Sequence, residues 1–317
     1  MAPRTVEQIV ERVGRAEWLD KLAQPLSKKV SETVPKGPVK DALSGTWLGH
    51  PLHPMLTDLP IGCWTSAFML DLVGGKRSRR ASDTLVALGL VTALPTAASG
   101  LADWSDLIGE ERRLGLAHAG GNTVAVVFYG LSLVSRLRGR RGKGIVLSLL
   151  GATAATAGAY LGGHLAWRKG VNVSRHAWQH AREDWVDVAA EEELAADGPL
   201  VVTVGDDTVL VVRQDGKLYA ISDVCGHLGG PLHEGEIGAG CVTCPWHASV
   251  FRLDDGSVVH GPATGPQPAY QVLRKGGRLW VRQVSRLEPQ PVPGETEAVD
   301  MSWDTSPSTV ATGASQA

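Results

Sequence analysis

The sequence predicts a two-part chain, an all-α membrane bundle of four helices followed by a small all-β domain, and three observations lead there. Four apolar stretches recur at 56–73, 84–102, 114–135 and 145–167, each near the roughly 20 residues a helix needs to cross a bilayer. From 184 to 285 the pattern changes to short β-rich runs separated by polar or glycine-containing turns. Of the cysteines at 63, 225, 241 and 244, the last three crowd together beside histidines, a spacing that suits metal or cluster ligation better than a disulfide framework. The whole-chain averages, 43% hydrophobic and 20% charged with a formal charge of -2, resemble those of an ordinary soluble protein. They conceal the split because they mix two unlike halves.

Residues 1–48 are polar, with Val6, Ile9, Val10, Val13, Leu19, Leu22 and Leu26 falling on one helical face. Such a helix can lie on a membrane surface or pack on its own protein. No apolar core follows a basic start, so nothing there reads as a cleavable signal. The membrane domain is expected at 49–168. Its first stretch is short and carries Asp58 and Asp71 near its ends, which leaves a buried hairpin as the competing reading. In the fourth stretch Gly158 and Gly162 sit four apart and allow close backbone approach. A linker at 169–183 leads to the β domain at 184–285, whose strands are expected at 200–204, 208–213, 217–222 and 278–284. Turns such as Gln214-Asp215-Gly216 and Asp254-Asp255-Gly256 mark its antiparallel hairpins. The tail at 286–317, rich in Pro, Ser, Thr and Ala, has little to bury and is expected to be disordered.

The chemistry concentrates in Cys225-Gly226-His227-Leu228-Gly229-Gly230 and Cys244-Pro245-Trp246-His247-Ala248-Ser249. Each segment offers one thiolate and one imidazole. Two sulfur and two nitrogen donors suit either a tetrahedral zinc ion or a two-iron cluster in which histidines replace cysteines on one iron. Cys241 could form a C-x-x-C pair with Cys244 or be a buried strand residue.

The pattern C-x-H followed by C-P-W-H, with Gly261-Pro262-Ala263 to Pro268 downstream, resembles the Rieske ferredoxin family over roughly 100 residues. The resemblance implies a small antiparallel β-sandwich with two cluster-binding loops and a [2Fe-2S] cluster. In it Cys225 and Cys244 hold a buried iron, and His227 and His247 hold an exposed one. It also implies that the proline-rich stretch covers the cluster and that Ser249 hydrogen-bonds a bridging sulfide. High-potential relatives in cytochrome bc complexes carry a disulfide where this chain has Gly230 and Trp246, and a tyrosine where it has Phe251. Fewer donors to the sulfurs predict a potential in the lower part of the Rieske range.

Gly49-His50-Pro51-Leu52-His53-Pro54, with His118 and His164, resembles an uncharacterised bacterial four-helix membrane domain. Ionisable groups at membrane depth are functional candidates, and His53, His118 and His164 are candidate axial ligands of a haem. Interfacial placement, hydrogen bonding within the bundle, and a quinone or proton site are the other readings. Lys76, Arg77, Arg79 and Arg80, then Arg136, Arg138, Arg140, Arg141 and Lys143, predict two cytoplasmic loops. The β domain then lies on the extracytoplasmic face. Arg140-Arg141 also has a partial likeness to a twin-arginine export signal.

These features predict a multi-pass membrane protein that carries one electron at a time to a redox partner protein or quinone, in contact with lipid and without nucleic acid. A redox sensor is the alternative. An oxygenase is disfavoured because no histidine lies after 285 to build a mononuclear iron site.

Overall fold

The computed structural model describes residues 2–179, 183–195 and 198–283; the tail expected to be disordered lies outside the described residues. Three short polar helices come first: α1 (Ala2–Gly14), α2 (Asp20–Thr33) and α3 (Pro38–Ser44). Val10 of α1 is buried against Leu114 and Leu165, and Ala23 of α2 against Trp104 and Leu107. Of the predicted stripe, Val10 and Val13 pack on the protein, whereas Val6, Ile9, Leu22 and Leu26 are exposed.

Four long helices follow: α4 (Leu52–Val73), α5 (Arg79–Trp104), α6 (Gly109–Leu137) and α7 (Arg141–Trp167). Among the described residues, α5, α6 and α7 are long and apolar enough to cross a membrane. Helix α4 does not meet that measure, because Asp58, Asp71 and two prolines dilute its apolar character.

Helices α4 and α6 face each other through three matched pairs. His53 and His118 have ring centroids 6.1 Å apart, Trp64 and Tyr129 stack at 4.0 Å, and Asp71 pairs with Arg136. Every pair is separated by 65 positions. Helices α5 and α7 supply matched glycines. A Cβ on Gly89 would collide with Trp64 and one on Gly151 would meet Tyr129 at 3.0 Å, while one on Gly100 or Gly162 would meet His53 at 2.6 Å or His118 at 2.9 Å. The bundle is thus an internally repeated hairpin with a pseudo-two-fold axis between α4 and α6. The helices bring small residues where rings need room, as close backbone packing requires.

At the far end of this axis Asp71 and Asp83 share Arg136 and Arg141. The Arg136 side chain is 0% exposed, and removing one partner of a buried pair costs about 3–5 kcal/mol. Two of the arginines expected to set topology are therefore committed to aspartates inside the bundle.

The β domain contains a six-stranded antiparallel sheet in the order β1 (Val186–Ala190), β10 (Arg278–Gln283), β9 (Ala269–Lys275), β4 (Lys217–Ser222), β3 (Asp207–Gln214) and β2 (Leu200–Val204). A second sheet runs in the order β5 (Glu236–Gly238), β6 (Cys241–Thr243), β7 (Val250–Arg252) and β8 (Val258–His260). Alternation along β3 explains how both faces are used. Val209 and Val211 enter one core with Ala220, Leu279 and Val281; Leu210 and Val212 enter the other with Phe251, Leu253, Cys225 and Cys244. The second core carries the two cysteines singled out from the sequence.

Candidate metal centre

Cys225 and His227 lie in the loop after β4, and Cys244 and His247 in the tight connection between β6 and β7. The two loops share one backbone design. Cys225 N–H donates to Gly230 O at 2.8 Å while Gly229 N–H donates back to Cys225 O at 2.9 Å. Cys244 N–H donates to Ser249 O at 2.8 Å while Ala248 N–H donates back to Cys244 O at 3.0 Å. The fourth residue after each cysteine has positive φ, 86° at Gly229 and 60° at Ala248. This left-handed position closes each loop.

The loops bring like donors together. The Cys225 and Cys244 thiols are hydrogen-bonded, and the His227 and His247 rings lie 5.0 Å apart, edge to face. That bond, then burial, pushes the Cys225 thiol up. The same bond holds Cys244 down at about 6, helped by the Trp246 and His247 backbone N–H groups. Burial, followed by the neighbouring His247, depresses His227 to about 3, so its ring is neutral at pH 7.

Among the described residues, no three His, Cys, Asp or Glu side chains converge as a single ion would require. The donors instead form a thiol pair and an imidazole pair, and His227 Nδ1 is buried without a hydrogen-bond partner. An orphaned buried ring nitrogen is costly unless something ligates it. Two pairs plus that open nitrogen fit a two-iron centre better than tetrahedral zinc.

Ser249 is 0% exposed, and its Oγ accepts the Ala263 N–H at 3.0 Å, tying the 261–268 loop to the second cysteine loop. Gln267 is equally buried. Its Oε1 accepts Gly226 N–H at 3.0 Å and His176 Nε2–H at 2.7 Å, and its Nε2 donates to Val224 O at 2.9 Å. The prolines mark this loop in the sequence; nothing marks the glutamine, whose partners Gly226 and Val224 lie 41 and 43 positions away. A Cβ on Gly230 would stand 2.8 Å from Cys244 Sγ and 3.1 Å from Trp246 Cγ. Trp246 thus packs across the position where relatives with a disulfide place a cysteine. Cys241 is half-buried on β6 and unbridged.

The histidine edge expected to be exposed is covered. The His227 side chain is 7% exposed, with Nε2 3.9 Å from Asp106 Oδ2 in the α5–α6 connection, and His247 hydrogen-bonds the Asp106 backbone. Lys40 of α3, 4% exposed, pairs with Asp106 at 2.9 Å. Asp41 accepts from the Gly261 N–H at 2.8 Å and meets His260 Nδ1 at 2.9 Å. Sequence pattern does not join Lys40, Asp41 or Asp106 to the cluster loops, because Asp106 lies 121 positions from His227 and Asp41 lies 220 from Gly261, while Lys40 reaches the site only through Asp106.

Of the membrane histidines, His53 and His118 meet. His164 stands apart among Arg168, Lys169, Glu110 and Glu7, and His50 is exposed.

The Rieske [2Fe-2S] domain matches residues 184–271, and a predicted membrane protein domain (DUF2231) matches residues 49–175. The anthranilate 1,2-dioxygenase ferredoxin subunit of Burkholderia cepacia is 30% identical over 31% of this chain and 91% of its own length. The cytochrome b6-f complex iron-sulfur subunit of Chlorobaculum tepidum is 37% identical over 24% of this chain and 41% of its own length. Apoptosis-inducing factor 3 of Homo sapiens is 32% identical over 26% of this chain, but the match spans only 13% of that relative. Among solved structures, the ferredoxin of carbazole 1,9a-dioxygenase from Nocardioides aromaticivorans is 32% identical, covering 31% of this chain and 96% of its own, with a TM-score of 0.30. The Rieske domain implies a [2Fe-2S] cluster. Through residues 184–271 this chain belongs to the Rieske [2Fe-2S] family, and it joins to that domain, over residues 49–175, a predicted membrane protein domain of the DUF2231 family.

Proposed function

We propose that this protein is a membrane-anchored one-electron carrier of low to intermediate potential. Cys225 and Cys244 would hold the buried iron, and His227 and His247 the outer iron. When bound, the [2Fe-2S] cluster supplies a one-electron couple. The chain's own residues set its working conditions. Backbone N–H groups of His227 and Leu228 point at Cys225, and those of Trp246 and His247 at Cys244, favouring thiolate over thiol. Ser249 accepts from Ala263 and keeps its own hydroxyl proton for the cluster. Phe251, packed with both cysteines, adds no donor.

The observation that carries the reading is the paired donor arrangement, thiol beside thiol and imidazole beside imidazole. Redox titration of the purified full chain, followed by electron paramagnetic resonance, tests it. A one-electron couple below about +200 mV is expected, and a higher midpoint would refute the potential assignment.

In this account all four long helices span the membrane, with α4 tolerated because Asp71 is neutralised by Arg136 and Arg141. The Rieske domain lies on the extracytoplasmic face, since Lys76, Arg77, Arg79 and Arg80 load the opposite loop. A reporter fused to the C terminus that is active only in the cytoplasm would reverse this. Electrons are exchanged with a haem or quinol on the membrane side and with a separate redox partner.

The covered histidine edge favours a second reading. Asp106 and Lys40 make the edge part of a contact with the helical domain, so a change in cluster charge would act on that contact, as in a redox sensor. Protease sensitivity of residues 169–179 that differs between oxidised and reduced protein supports the sensor; equal sensitivity supports the carrier.

A further inference from the structure

We propose that His53 and His118 are the two axial ligands of a haem carried on the pseudo-two-fold axis of the helical bundle, making a second redox centre in the chain. Its role as a relay to the β domain rests on the carrier reading above; the site itself rests on the bundle.

The ring nitrogens are set for ligation. His53 Nδ1 lies 2.9 Å from Thr96 O and His118 Nδ1 lies 2.7 Å from Gly158 O. A carbonyl oxygen only accepts, so each Nδ1 carries the proton. Each neutral ring therefore presents a bare Nε2 lone pair, and an N–H held by a backbone carbonyl is the usual support of a ligating imidazole. Asn122 does not cap that lone pair. Its amide nitrogen is 3.2 Å from His118 Nε2 and 3.5 Å from Nδ1. Such similar distances to both ring nitrogens place it over the ring and not along the Nε2 axis.

The spacing also fits. A metal held at about 2 Å by two opposed imidazole nitrogens separates their ring centroids by roughly 6 Å, and the observed separation is 6.1 Å. The two histidines come from equivalent positions of the internal repeat, so their approach is symmetric about the axis, as two axial ligands of one planar group would be. Gly100 and Gly162, also equivalent, leave the rings their space, since a Cβ at either would collide with its histidine.

Donor number decides between a bare ion and haem. Among the described residues no third His, Cys, Asp or Glu joins the pair. Two imidazoles alone hold a divalent ion weakly, whereas a porphyrin brings four nitrogens and asks for two axial ligands. His164, in its charged surroundings, takes no part.

Helix α5 links the two centres. It presents Thr96 to His53, and the connection after it presents Asp106 to His227. From Thr96 to the end of α5 at Trp104, eight residues of helical rise correspond to about 12 Å. One electron exchanged between haem iron and cluster makes and breaks no bond and moves no proton.

The test uses the full chain, expressed with a haem precursor and purified in detergent. One haem per chain by pyridine haemochromogen, with a low-spin Soret spectrum, is expected. His53→Ala and His118→Ala should each abolish the low-spin species, and His164→Ala should keep it. The cluster's paramagnetic signal, recorded on the same samples at wild-type intensity, shows that the variants fold. His118→Met guards against misfolding, because a methionine can replace histidine as axial ligand; it should retain haem with a changed spectrum. Cluster without haem, low-spin haem surviving in both alanine variants, or an unchanged His118→Met spectrum would overturn the proposal. Haem without cluster would support the site and overturn the carrier reading.

Discussion

Replacing Phe251 by tyrosine should raise the midpoint potential of the Rieske centre. Phe251 is 0% exposed and shares a core with Cys225 and Cys244, so a hydroxyl added at its ring must find a partner inside that core or remain unsatisfied. The acceptors there that gain negative charge on reduction are the thiolates and the cluster. A hydrogen bond to a charged group contributes about 1.5–3 kcal/mol, against about 0.5–1.5 for a neutral pair. The gain on reduction is a difference between two charged states, so about 1–2 kcal/mol is the reasonable share. For a one-electron couple, about 1.4 kcal/mol corresponds to about 59 mV, which gives a rise of roughly 40–85 mV. Spectroelectrochemical titration of wild type and Phe251→Tyr, in one buffer, measures it. A variant with full cluster content and an unchanged or lowered midpoint would refute the view that donor number at the sulfurs sets this potential.

Gly230→Ala should cost most of the cluster content, because the new methyl would stand 2.8 Å from Cys244 Sγ; iron and acid-labile sulfide per chain report it. Gln267→Ala removes the side chain that holds Gly226 and Val224. It should destabilise the domain by about 1–3 kcal/mol, read as a lower denaturant midpoint. In cluster-free protein, Cys244 is held at about 6. A depressed pKa means that thiolate is present above it, so alkylation of Cys244 should rise with pH to a half-maximum near that value; a half-maximum near the ordinary 8.5 would contradict the paired-thiol geometry. Lys40→Met leaves Asp106 unpaired in a nearly buried contact. It should cost about 3 kcal/mol and expose residues 169–179 to protease.

How much of this could be read in advance depended on how local the physics was. The four proposed donors could be named from the sequence because a cluster demands particular residue types at short spacing, and Cys225/His227 and Cys244/His247 supply them within two tetrapeptides. The change from long apolar helices to short strands was legible for the same reason, being written in the period of hydrophobicity. Asp106 and Lys40 were not, since nothing near either residue in sequence reveals that Asp106 will meet a histidine of the β domain or that Lys40 will pair with Asp106. The repeat in the bundle was hidden because few equivalent positions keep their identity: His53 answers His118 and Gly100 answers Gly162, but Trp64 answers Tyr129 and Asp71 answers Arg136. The ion pairs of α4 were out of reach for a related reason: Arg136 and Arg141, which neutralise Asp71, lie 65 and 70 positions away in sequence.

The most direct measurement is electron paramagnetic resonance with nitrogen couplings on the dithionite-reduced full chain, together with iron and sulfide analysis of the same sample. Two irons and two sulfides per chain, a single unpaired electron, and couplings from two imidazole nitrogens that fall to one in His227→Cys are predicted. Zinc at the site, a single iron, or a reduced signal without nitrogen coupling would contradict the assignment of Cys225, His227, Cys244 and His247.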